Sequence, residues 1–138
     1  MTNLKLWNSA DIDNAASGLI KPEDVRKQEV EAMVDTGATT VVIPIDVCRR
    51  LGLRPFRTTQ VELADGSLCE MTYFRSVWIE ILGRGMSCDV LAAPEGTTPL
   101  IGQIPLEGLD LVIDPRSREV RPNPEHPDGP LYYAKRAA

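Results

Sequence analysis

The sequence predicts an all-β domain, a small barrel or sandwich of short strands with one or two short helices. Apolar and polar residues alternate with period two in several short runs. Turn residues separate these runs at close spacing, and the helical patterns are brief. The 138 residues are enough for one domain and too few for two of typical size.

The N-terminal segment carries the weakest pattern. Residues 4–7 (LKLW) predict a short strand, and residues 9–18 (SADIDNAASG) predict a loop. We interpret residues 1–28 as a strand and loop extension of the domain, and as a candidate for a subunit interface.

The rest of the chain predicts a regular succession of elements. Val30, Ala32 and Val34 lie on one side of an alternating run, which is typical of a half-buried strand. The predicted elements are strand 28–35, strand 39–44, helix 44–52, a hairpin over 58–74 with its turn at 64–67, a hairpin over 77–93 with its turn at 83–85, strand 97–102, helix 103–109 and a closing hairpin over 109–122. Residues 123–138 are rich in proline and predict a tail.

Composition and charge argue against several classes of function. The net charge of −5 disfavours a general nucleic-acid-binding surface. No stretch approaches the ~20 apolar residues of a membrane span, and the N-terminus lacks a signal-peptide pattern. With one histidine, His126, and no CxxC pair, we expect no metal site and no cofactor. We interpret Cys48, Cys69 and Cys88 as small apolar residues, and their odd number favours a reducing, cytoplasmic location.

Four arginines form a local basic cluster: Arg49, Arg50, Arg54 and Arg57. Cations suit the C-terminus of a helix, where they complement its dipole. We therefore interpret the cluster as the end of the predicted helix and the loop after it, rather than as an RNA or phosphate site.

The run AMVDTGATTVVIP, residues 32–44, places Asp35 at the end of an apolar strand, before Thr36, Gly37 and Ala38. One interpretation is structural, because an Asp close to a glycine often caps a turn with its side chain. The other is catalytic. Hydrolysis of an amide requires a water to be made nucleophilic while the carbonyl oxygen is protonated, and two carboxylates that share one proton perform both tasks.

The chain resembles the retropepsin-like (retroviral-type) aspartic proteases, in particular their bacterial single-domain members. Residues 29–44 match the strand, active-site loop and strand of that family, and VELADGS, residues 61–67, lies where the family carries a substrate-covering flap. PLIG, residues 99–102, matches the second signature of two apolar residues and a glycine. The ordered match covers residues 29–121, and it implies a small closed β barrel.

The resemblance also implies roles for individual residues. Asp35 is the expected catalytic residue, with Thr36, Gly37 and Ala38 in the active-site loop and with Ile101 and Gly102 in the second signature. The expected flap and substrate-binding residues are Ala64, Asp65, Gly66, Ser67, Pro99 and Leu100. For Asp65 and Gly66, an ordinary hairpin turn is the alternative interpretation, and for Leu100 and Ile101 it is a plain core strand.

Only one Asp-Thr-Gly is present, so one chain supplies one of the two carboxylates. The expectation is a homodimer in which two Asp35 residues meet on a two-fold axis. Viral relatives often reinforce the dimer with an acidic residue two positions after the loop glycine and an arginine after the second-signature glycine. Here Thr39 and Gln103 occupy those positions. The dimer would then depend on residues 4–7 or on the hairpin around residues 112–122.

These observations favour a homodimeric aspartic endopeptidase that acts on peptides or proteins and needs no metal or cofactor. One alternative is a non-catalytic dimerising or peptide-binding module on the same fold, since a fold does not guarantee a function. The other is a monomeric structural domain, in which Asp35 would have no partner.

Overall fold

The structure is a computed structural model that describes residues 1–130. Its elements are β1 (Thr2–Asn8), α1 (Ser9–Ala16), a short 3₁₀ turn (Pro22–Asp24), β2 (Lys27–Val34), β3 (Val41–Pro44), α2 (Ile45–Arg50), β4 (Arg54–Glu62), β5 (Leu68–Ile81), β6 (Arg84–Ala93), β7 (Leu100–Ile101), α3 (Gln103–Gly108), β8 (Leu111–Ile113) and β9 (Val120–Pro122). None of the helices within this range is long and apolar enough to cross a membrane.

Six of the strands close into a ring. The main sheet has the order β1-β2-β7-β3-β6-β5-β4, and β1 also pairs with β5. The long strand β5 pairs with two different strands along one edge: residues 68–75 pair with β4, and residues 77–80 pair with β1. The predicted all-β fold, a closed barrel with short helices, is confirmed, and β4 extends beyond the ring as the outer strand of a hairpin.

The ring encloses an apolar core, which the alternating strand patterns build. In β1, for example, Leu4 and Leu6 are fully buried while Asn3 and Lys5 are exposed. The largest fully buried side chains of the core are Leu4, Leu6, Ile43, Leu51, Ile79, Ile81, Ile101 and Leu109. Because β1 pairs with β2 and β5, the N-terminal 28 residues contribute one strand of the same barrel. The proposed division between residues 28 and 29 stays a prediction.

Helix α1 replaces the loop that the sequence predicted over residues 9–18. The Asn8 side chain caps the helix by accepting a hydrogen bond from the Asp11 N–H (3.0 Å). The Asp11 carboxylate accepts hydrogen bonds from the Arg26 side chain, at 2.8 Å from Nε and 3.0 Å from Nη2. These bonds hold the pKa of Asp11 below its ordinary value. Such a short helix is only marginally stable alone, so the contact with Arg26, outside the helix, helps to stabilise it.

The turn between β5 and β6 lies earlier than predicted. Its two residues are Leu82 and Gly83, both with positive φ (+52° and +78°), which fits a type I′ hairpin. Arg84, predicted in the turn, instead begins β6 and is buried. Its guanidinium donates hydrogen bonds to the carbonyl oxygens of Leu109 (3.2 Å), Asp110 (2.8 Å) and His126.

The first part of the predicted C-terminal tail is attached to the barrel. Asn123 donates a hydrogen bond to the Asp110 carboxylate (2.9 Å), and Nδ1 of His126 lies 2.6 Å from the same carboxylate. Before it, β8 and β9 pair in the predicted closing hairpin. Residues 131–138 of the predicted tail lie outside the described residues.

Candidate active site

Asp35 follows the last residue of β2, and its backbone is anchored to the neighbouring strand. The Asp35 N–H donates a hydrogen bond to the carbonyl oxygen of Ile101 (3.0 Å), and Val34 pairs with Ile101 in parallel register. The Asp35 side chain is partly exposed, so solvent or a partner molecule can reach the carboxylate.

The turn after Asp35 brings the Gly37 N–H to the carboxylate. The Gly37 N–H donates to Asp35 Oδ1 (2.9 Å), and the Ala38 N–H donates to the Asp35 carbonyl oxygen (3.0 Å). The backbone of Gly37 does not adopt a positive φ, so conformational freedom is not the reason for glycine here. The need for glycine is spatial: a Cβ at this position would lie 3.1 Å from Asp35 Oδ1.

The second signature and the two residues after it are hydrogen-bonded to the same loop, which we call the Asp35 loop (residues 35–40). Three backbone N–H groups donate to it: Gly102 to Thr40 (2.9 Å), Gln103 to Ala38 (2.9 Å) and Ile104 to Thr39 (2.9 Å). The two segments approach so closely that a Cβ on Gly102 would lie 2.5 Å from the carbonyl oxygens of both Ala38 and Thr40. The glycine of the second signature therefore has a direct steric reason.

The structure also locates the remaining residues of the loop and the signature. Thr36 is exposed, and its hydroxyl makes no hydrogen bond to residues 1–130. Leu100 is half-buried, and the carbonyl oxygen of Pro99 accepts a hydrogen bond from the Met33 N–H (2.9 Å). Ile101 is fully buried, so its own side chain belongs to the core.

Thr39 and Gln103 do not replace the ion pair of the viral relatives with a side-chain contact. The amide of Gln103 instead donates to Glu107 (2.9 Å), one helical turn further on. Thr39 is exposed. Sequence reasoning missed the contribution of Thr40, whose hydroxyl donates to the Asp89 carbonyl oxygen (3.2 Å) and ties the loop to β6. No local pattern marks this contact, since its partner is distant in sequence.

The hairpin of β4 and β5 ends in an exposed turn, which we call the hairpin tip (residues 63–67). Within it, Leu63 N–H donates to the Ser67 carbonyl oxygen (2.8 Å), and Gly66 adopts φ +83°. The Asp65 carboxylate accepts hydrogen bonds from the Ser67 hydroxyl and N–H, which lower the pKa of Asp65. Ala64, like the rest of the tip, is exposed, and within residues 1–130 no hydrogen bond joins the tip to the Asp35 loop.

Other reactive groups of the described chain do not form a second site. Burial raises the pKa of Cys48 and of Cys88 to about 12, so both thiols are protonated at neutral pH. Between residues 1 and 130, no three His, Cys, Asp or Glu side chains are grouped so that they could hold a metal ion. Asp35 combines a carboxylate that solvent can reach with a loop whose backbone is bonded to residues 101–104.

Comparison with known proteins agrees with this geometry. The sequence model of an aspartyl protease family matches residues 22–104, which is more than half of the chain. That range contains the Asp35 loop, the β4–β5 hairpin and the second signature through Gly102. A comparison with curated proteins found no match. The chain belongs to the aspartyl protease family, of the retropepsin-like type.

Proposed function

We propose that this protein is a homodimeric aspartic endopeptidase whose catalytic dyad consists of Asp35 from each of two chains. The observation that carries the proposal is the Asp35 loop itself. Its carboxylate is accessible and oriented by the Gly37 N–H, while Gly102 and its neighbours fix the backbone. One such loop per chain supplies half of the chemistry, so a second copy completes it.

In this proposal the two carboxylates share one proton and a water molecule. Like charges about 3 Å apart do not both ionise, so one carboxylate is a base while the other is an acid. The basic Asp35 takes a proton from the water, whose oxygen attacks the peptide carbonyl carbon. The other Asp35 gives its proton to the carbonyl oxygen. When the tetrahedral intermediate collapses, the C–N bond breaks and the leaving nitrogen receives a proton from the dyad.

Thr36 and the residues around the cleft have supporting roles in this scheme. The Thr36 hydroxyl is exposed and bonds no group of residues 1–130, so it is available to brace the loop of the partner subunit. The hairpin tip, with Ala64, Asp65, Gly66 and Ser67, covers an extended substrate and bonds its backbone. Pro99 and Leu100 line pockets for substrate side chains.

The dimer interface is proposed to involve the closing hairpin more than the first strand. β1 already uses its backbone groups to pair with β2 and with β5. The β8–β9 hairpin pairs only with itself among the described strands, and Val112 in it is exposed. Unpaired strand edges with an exposed apolar residue support association with a second copy.

We place the activity in a reducing compartment, and propose the cytoplasm. The support is that Cys48, Cys69 and Cys88 are all free thiols in the structure.

A cleavage assay across pH tests the proposed function. The full chain is incubated with a library of unstructured peptides from about pH 4 to about pH 9, and the products are sequenced by mass spectrometry. We expect internal cleavage whose rate falls toward alkaline pH, because the shared proton is lost there. Activity that is flat across this range, or absent with every peptide, would contradict the proposal.

A further inference from the structure

A group of arginines at the base of the β4–β5 hairpin takes no part in the proposed catalysis. Arg54, Arg57 and Arg75 are exposed, and none of them forms an ion pair with a carboxylate of residues 1–130. Arg50, at the end of α2, is by contrast paired with Asp46 (3.1 Å). The sequence-based assignment of Arg54 and Arg57 to a loop is wrong, because both lie in β4.

Aromatic rings hold two of these arginines in place. The guanidinium carbon of Arg57 lies 4.7 Å from the ring centroid of Tyr73, and that of Arg75 lies 3.7 Å from the ring of Phe56. Phe56 lies at a β-bulge between Pro55 and Arg57, and it remains 46% exposed. A guanidinium stacked on a ring keeps the N–H donors at its edge free, and the stacking pre-orients it for a planar anion such as a carboxylate.

The register of the hairpin adds a further reason to expect an anion here. Arg54 lies directly opposite Arg75 across the strand pair. Like charges in this position destabilise a hairpin, and an anion bound between them would remove the repulsion. The whole chain has a net charge of −5, so this concentration of positive charge is a local departure from its composition. We call Arg54, Arg57 and Arg75 with Phe56 and Tyr73 the arginine patch.

The strand that carries the patch has a free edge. β4 spans nine residues and pairs only with β5 among the described strands. The outer N–H and C=O groups of such an edge can bond the backbone of an added, extended peptide. Further along the same hairpin, Glu62, Asp65 and Glu70 are exposed. A continuous phosphate backbone laid along β4 would meet these carboxylates, whereas a peptide can confine its acidic side chains to the patch.

From these observations we infer that the arginine patch docks an extended segment of the substrate that carries acidic side chains. The segment adds to the free edge of β4, and its carboxylates bond Arg54, Arg57 and Arg75. That this segment belongs to a substrate rests on the proposed function. The existence of an acidic-peptide site rests on the patch alone.

The site is tested by measuring peptide binding to the full-length Asp35→Asn variant, which is expected not to cleave the peptide. The probe is a fluorescent peptide of extended, β-branched sequence with four Glu residues, compared with the same peptide carrying Gln in their place. The patch variant carries Arg54→Gln, Arg57→Gln and Arg75→Gln. The matched control carries Lys5→Gln, Lys21→Gln and Lys27→Gln, three exposed residues elsewhere with the same change in net charge. We expect the Glu peptide to bind about tenfold tighter than the Gln peptide at low salt. The patch variant should lose this difference, and the control should keep it.

Three outcomes would overturn the inference: equal affinity for both peptides, equal losses in patch variant and control, or a single-stranded oligonucleotide of matched charge that binds the patch as tightly as the Glu peptide.

A kinetic experiment separates this result from the proposed function. If the wild-type chain cleaves both peptides, the patch variant should raise KM for the Glu peptide about tenfold and leave kcat within about twofold. If the wild-type chain cleaves nothing, the proposed function fails, while the binding result still decides the docking site.

Discussion

Asp35 and Asp65 form the same local turn in two very different settings. Each carboxylate accepts an N–H from the residue two positions further on, Gly37 and Ser67 respectively, at 2.9 Å in both cases. The structural interpretation of Asp35 as a turn-capping carboxylate is thus physically correct, and it does not compete with a catalytic role. The local turn alone cannot tell a catalytic aspartate from an ordinary one.

The difference between the two regions lies in their long-range contacts. The Asp35 loop is bonded to residues 101–104 by backbone hydrogen bonds that involve Asp35, Ala38, Thr39 and Thr40. The hydrogen bonds within the hairpin tip connect only residues 63–67 to one another. A carboxylate that must meet a second carboxylate in fixed geometry needs the first kind of support. A segment that must admit and cover a substrate is better served by the second.

The largest expected effect comes from changing the two aspartates in the same way. Asp35→Asn should lower kcat/KM by at least about 10³-fold, because the proposed dimer would then lack both of its acid–base groups. Asp65→Asn should change it by less than about threefold, since an amide oxygen accepts the same Ser67 N–H. Steady-state cleavage of one fluorogenic peptide measures both. Comparable losses in the two variants would break the distinction between the regions.

The two glycines of these regions should differ in what they contribute to stability. Gly102→Ala should destabilise the fold by about 2–3 kcal/mol, because the new Cβ meets two backbone oxygens that are themselves fixed. Gly66→Ala should cost about 1 kcal/mol, since the site is open and only its positive φ opposes a side chain.

Urea unfolding at one fixed protein concentration compares these variants, because the proposed dimerisation would make stability depend on concentration. A Gly102→Ala variant as stable as Gly66→Ala would show that the Asp35 loop and the second signature are not held as closely as described.

The smallest expected effect concerns the pH dependence of the hairpin tip. The pKa of Asp65 is lowered by the Ser67 hydroxyl and N–H, so the ionised carboxylate favours the ordered turn above its ordinary pKa. This ordering should be lost as the pH falls below about 4. In Ser67→Ala the pKa of Asp65 should rise toward its ordinary value. Carboxylate NMR titrations of the two proteins measure the change. Identical titrations would show that the Ser67 hydroxyl does not lower the pKa of Asp65.

The sequence was most informative where function and local pattern coincide. The alternating run before Asp35, the Ala64–Ser67 turn and the glycine of the second signature were each recognisable from short patterns. Their order along the chain predicted the closed all-β fold. The turn at Gly66 follows from its own positive φ. The need for Gly102 comes instead from the carbonyl oxygens of Ala38 and Thr40, so the sequence indicated this glycine only through the resemblance of the second signature.

Features that depend on distant partners could not be predicted in the same way. Helix α1 depends on an ion pair between Asp11 and Arg26, and buried Arg84 depends on carbonyl groups beyond α3. The arginine patch required the register of β4 with β5, which brought Arg75 opposite Arg54. In each case the sequence gives the residue type, whereas only the folded chain gives its partner.

The most direct test of the account is a subunit-mixing experiment on the dyad. A fixed amount of wild-type chain is equilibrated with a ninefold excess of Asp35→Asn chain, and the cleavage rate is measured. If two Asp35 residues from different chains form the site, about one tenth of the wild-type chains remain in wild-type dimers and activity falls about tenfold. If the rate is the same with and without the excess variant, each subunit works alone and the shared dyad is contradicted.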